Sequence, residues 1–121
     1  MNLNEYPEAI AQAQTFLNDL DSQIANLKHR ACEIEGWVES QVAGGDYKNE
    51  QLRKVARFEI LQSKSNYQAI LVDLDKLKDA RAKAAVEAEL LRNRYSVAKI
   101  EARAAIVAQL VGLESREILG V

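Results

Sequence analysis

Proline occurs once in the 121 residues, at Pro7, and glycine five times, so the turns that short strands need are largely missing. The single cysteine, Cys32, excludes an intramolecular disulfide and suits a reducing compartment. His29 is the only histidine, which excludes a His pair for a metal. No basic start leads into an apolar run, and no apolar stretch approaches bilayer length, so the expectation is a cytoplasmic protein with no membrane contact. The length is that of a single domain, 1–121.

What is present is 48% apolar residues, with alanine, leucine, glutamate, lysine and arginine prominent, the composition of an all-α protein. The charge of −2 is unevenly spread. Residues 1–43 hold seven acids against Lys28 and Arg30, and residues 44–121 hold fourteen bases against eleven acids, so the two parts attract.

Apolar residues recur in alternating steps of three and four through Leu3, Tyr6, Ile10, Ala13, Leu17, Leu20, Ile24, Leu27, Ala31, Ile34 and Val38. That spacing predicts a helix lying along another helix, over about 7–43, with Pro7 tolerated in its first turn. Gly44-Gly45-Asp46 follows as the one strong interior breaker. The glycines are expected in a left-handed cap over 44–46, and Asp46 as the cap of the next helix. From Tyr47 no Gly or Pro appears until Gly112, which predicts an uninterrupted second helix over about 47–112, roughly 95–100 Å long, and a tail over 113–121.

The fold expected is a long antiparallel helical hairpin, a coiled coil with an over-long second helix that assembles into a multi-helix bundle. Across an antiparallel seam the numbers of paired residues sum to a constant. Placing the turn at Ala43-Gly44 makes that constant 87, pairing Leu20 with Tyr67 and Leu17 with Ile70. Helix 1 is then used up at Leu3 opposite Ala84, and the chain beyond about residue 85 awaits a second copy. Phe16 and Trp37, flanking the helix 1 seam, widen it toward a bundle contact. A homodimer follows, with Leu91, Tyr95, Ala98, Ile106, Leu110 and Leu113 as the interface. A fold-back near Arg92-Asn93-Arg94 into three helices is the alternative.

Little here supports catalysis. Glu33/Glu35, Asp73/Asp75 and Glu87/Glu89 are spaced by two, about 200° apart on a helix, so neither carboxylate serves the other. The two glycines lack the following Lys-Ser/Thr of a phosphate loop. No enzyme, cofactor or metal site is expected. Lys78, Arg92 and Lys99, with Arg103 one turn on and Tyr95 among them, form the alternative: a basic strip for nucleic-acid phosphates. Asp79, Glu87, Glu89 and Glu101 oppose it.

Two stretches, Asn49-Glu50-Gln51-Leu52-Arg53-Lys54 and Leu90-Leu91-Arg92-Asn93-Arg94-Tyr95-Ser96-Val97-Ala98-Lys99, resemble small coiled-coil proteins of bacteria and their phages. Some of these appear beside DNA-recombination genes, so the resemblance implies a helical accessory factor of DNA metabolism and carries no catalytic residue. The expected function is therefore structural, assembly or adaptor work through coiled-coil oligomerisation, with the nucleic-acid role as its alternative.

Overall fold

The computed structural model describes residues 1–118, with side-chain exposure through 116. The chain is all-helical, 92% helix, with no strand among the described residues. A short 3-10 turn, Leu3–Glu5, leads into α1, Tyr6–Ala43; α2 is Glu50–Ser63 and α3 is Ser65–Ile118. Of the tail expected over 113–121, residues 119–121 lie outside the described residues. No described helix is long and apolar enough to cross a membrane.

Every member of the α1 repeat from Tyr6 to Val38 is buried or half-buried, and the next step of four adds Val42 at 1% exposure. A period of 3.5 keeps one face of α1 turned to its neighbours. Gly36 lies outside that stripe, and a Cβ built on it meets nothing within 4 Å. Gly36→Ala is therefore expected to stabilise the fold by about 0.5–1 kcal/mol through helix propensity, read as a raised urea midpoint.

The connection between α1 and α2 is longer than expected. It occupies 44–49, and Asn49 rather than Asp46 caps α2, its Oδ1 accepting from the Leu52 N–H at 3.0 Å. Neither Gly44 nor Gly45 has a left-handed φ; Gly44 N–H donates to the Ser40 carbonyl at 3.2 Å and Gly45 N–H to that of Val42 at 3.1 Å. Gly45 is needed for space instead, because a Cβ there collides with the Tyr47 ring. That ring packs against the Val38, Val42 and Ala56 cluster.

The single helix expected over 47–112 is divided. Lys64 adopts φ −88° and ψ 103°, which ends α2, and α3 starts one residue later. The freed groups are recovered locally: Ser63 Oγ donates to the Ile60 carbonyl at 2.7 Å, and Gln68 Nε2 to that of Leu61 at 3.1 Å. The alternative fold-back near Arg92-Arg94 does not occur, since α3 runs through it.

Two compact units divide the chain, residues 16–83 and residues 1–15 with 84–121. In the first, Ile24, Ala31, Ile70 and Leu74 form one core cluster, and Val38, Val42 and Ala56 another. Here the expected register is corrected. Tyr67 meets Glu35 and Arg81 meets Asp21, pairs whose numbers sum to 102 rather than 87. The offset is close to two heptads, which leaves the same residues on the seam while changing their partners.

In the other unit, Tyr6 stacks on Tyr95 with ring centroids 5.5 Å apart and planes 19° apart. Ala88 is fully covered, and Ala84, Leu91 and Ala98 are half-buried. The expectation that the chain is uncovered from about residue 85 is thus corrected: cover continues to about Ala102, and everything from Arg103 to Arg116 is exposed.

Candidate functional site

Charged groups in the 16–83 unit join helices. Arg57 forks between two acids, Nε and Nη2 on Glu39 at 2.6 and 2.9 Å, and Nη1 on Glu50 at 2.8 Å. Hydrogen bonds from Arg57 lower the Glu50 pKa, and the bond from Arg81 lowers that of Asp21. Both carboxylates therefore favour the folded state above the ordinary carboxylate range, a contribution lost as pH falls. A groove of about 450 Å³ in this unit is open and mixed in sign, with Arg30, Asp73 and Lys76 around Leu27 and Leu77.

Tyr67 is the one buried residue with a titrating polar tip in this unit, 8% exposed, its hydroxyl donating to Glu35 Oε1 at 2.7 Å. That hydrogen bond, with burial and the Glu35 charge behind it, pushes its pKa up to about 12. A folded pKa above the unfolded one means the bond stabilises fully below about pH 10 and is lost as pH rises toward about 12. Tyr67→Phe is expected to cost about 1–3 kcal/mol at neutral pH and to flatten the alkaline fall in stability, measured by urea titration between pH 8 and 12.

The residues expected to bind phosphates divide between the units. Lys78 lies on α3 in the 16–83 unit, exposed. Arg92, Lys99 and Arg103 lie in the other. There Arg92 Nη2 donates to Gln14 Oε1 at 2.8 Å, and Lys99 Nζ sits 4.5 Å from the centre of the Tyr95 ring. His29 pairs with Glu33 at 3.0 Å on the exposed side of α1, and Cys32 is exposed. Among the described residues no cluster of three or more His, Cys, Asp or Glu could hold a metal.

The expected interface residues also divide. Tyr95 is taken by Tyr6, and Leu91 and Ala98 are half-buried within their unit. Ile106, Leu110 and Leu113 remain exposed by 54–56%. From Ala104 to Leu113 no residue is charged, yet all ten are exposed. A helix that is apolar on all sides is ordinarily buried. This exposed, charge-free stretch is the candidate site.

The apolar surface expected to need cover beyond residue 85 also includes the other face of α3. Val86, Leu90, Val97, Ile100, Val107 and Val111 are exposed by 45–69% on the side of α3 away from Ala88, Leu91 and Tyr95. With Asn93 and Ala104 between them they fall in steps of three and four, the signal that sets this face apart. Phe16 and Trp37, expected beside the α1 seam, are exposed by 53% and 50%, and Lys64 Nζ lies 4.0 Å from the centre of the Trp37 ring.

No protein-family model matches the chain, and no curated protein or solved structure is significantly similar to it. The resemblance of 49–54 and 90–99 to small coiled-coil proteins stands on those residues alone.

Proposed function

We propose that this is a non-enzymatic assembly or adaptor protein, an antiparallel helical hairpin that works by coiled-coil oligomerisation through the far part of α3, with the homodimer as its simplest form. One observation carries the reading: the charge-free stretch Ala104–Leu113 is exposed on every side. Leaving it wet costs about 25 cal/mol for each Å² of apolar surface that a neighbour would remove from water. Several large side chains there make that a strong drive to associate.

The nucleic-acid reading comes second. Of its four bases, Arg92 and Lys99 already have partners in their own unit, and phosphate binding would have to displace them. Light scattering on the full chain at low micromolar concentration tests the assembly reading. A mass at least twice 13.5 kDa is expected; a compact monomer would overturn it.

A further inference from the structure

The outer face of α3 carries a second heptad stripe. From Val86 to Val111 it advances in steps of four and three without a miss, passing through Asn93 and Ala104. At 100° per residue it lies about 190° around the helix from the stripe of Ala84, Ala88, Leu91 and Tyr95. Its six large apolar members are all exposed. Two helix faces with separate 3.5-residue periods call for two different helical neighbours.

We propose that this stripe is covered by the same stripe of a second copy, running antiparallel about a dyad between Ala98 and Lys99. The inference rests on the self-association reading above and names its partner and geometry. The dyad brings Val97 against Ile100 of the second copy, Leu90 against its Val107, and Val86 against its Val111. The two irregular positions fall together, the larger Asn93 opposite the small Ala104. A parallel copy stacks Ala104 on Ala104 and Asn93 on Asn93, leaving one layer hollow and one polar.

Charge selects the same arrangement. The next positions outward in the repeat are Lys83 and Glu114 in the sequence. An antiparallel copy sets them opposite one another, whereas a parallel copy sets like against like. Beside the seam, Arg94 and Glu101 are exposed, and the dyad places each against the other residue of the second copy, twice over.

The test is a charge-swap cycle on the full chain, reading the dissociation constant by sedimentation and helicity by circular dichroism. Arg94→Glu and Glu101→Arg are each expected to weaken self-association about tenfold, since each puts two like-charged pairs across the seam. The double variant is expected to recover to within about threefold of the parent. In a parallel pair Arg94 faces Glu89 instead and Glu101 faces Ser96, so Arg94→Glu would weaken, Glu101→Arg would do nothing, and the double would stay weak. That pattern overturns the proposal. So does an oligomer that ignores all three variants yet dissociates on Leu110→Asp, an outcome that leaves the assembly reading standing. A parent chain that is monomeric throughout overturns both.

Discussion

Ile70→Ala is expected to lower the free energy of unfolding by about 3–4 kcal/mol, a large part of the ~5–15 kcal/mol a domain of this size has. Ile70 is 3% exposed and packs with Ile24, Ala31 and Leu74. Truncation removes three carbons from a site where Ala31 is too short to fill the space, so most of the cavity persists. Val72→Ala removes two carbons from a side chain 53% exposed and is expected to change stability by less than about 0.5 kcal/mol. Urea denaturation followed by circular dichroism reads both. A loss below about 1 kcal/mol at Ile70 would mean that α3 does not pack on α1 as described.

The face of α1 was legible in the letters because burial follows a 3.5-residue period that Tyr6 through Val38 keep without interruption. Register was not legible. A heptad pattern is unchanged by a slide of seven or fourteen residues, so the seam alone cannot distinguish a constant of 87 from one of 101, close to the 102 of Tyr67 with Glu35 and Arg81 with Asp21. The connection decides, and it depends on Asn49 outcompeting Asp46 as the cap and on the break at Lys64. Neither involves Gly or Pro. The cue for the break was the run Ser63-Lys64-Ser65-Asn66, whose short polar side chains offer the backbone local partners in place of helix.

The candidate surface was half legible for a related reason. The apolar content beyond residue 85 called for cover, but composition does not say which face of α3 the chain itself covers. With a constant of 87, Leu91, Tyr95 and Ala98 had no neighbour in their own chain and were assigned to a partner. Tyr6 reaches Tyr95, and the free face becomes the opposite one, where Val97 and Ile100 lie. The basic strip was half legible on similar grounds. A stripe of like-charged residues on a helix wheel does not reveal that Arg92 binds Gln14 or that Lys99 lies on an aromatic ring.

Tyr6→Ala gives the second large effect, and it tests register directly. Tyr6 is 9% exposed and stacked on Tyr95, so its removal is expected to cost about 3 kcal/mol locally. Because the loss falls within residues 1–15 and 84–121, hydrogen exchange should speed in the amides of about 6–13 and 88–98. The amides around Ile24, Ala31 and Ile70 should keep their protection. Tyr95→Ala should do the same, and the double variant should cost about 0.5–1.5 kcal/mol less than the two singles together, the coupling of an aromatic pair. In the register with a constant of 87, Tyr6 faces Arg81 and Tyr95 has no neighbour on α1. Strict additivity would therefore restore that register, and with it a helix uncovered from residue 85. A measured coupling places the end of internal cover beyond Tyr95, so that only the outer stripe and the charge-free stretch after Ala102 remain for a second chain.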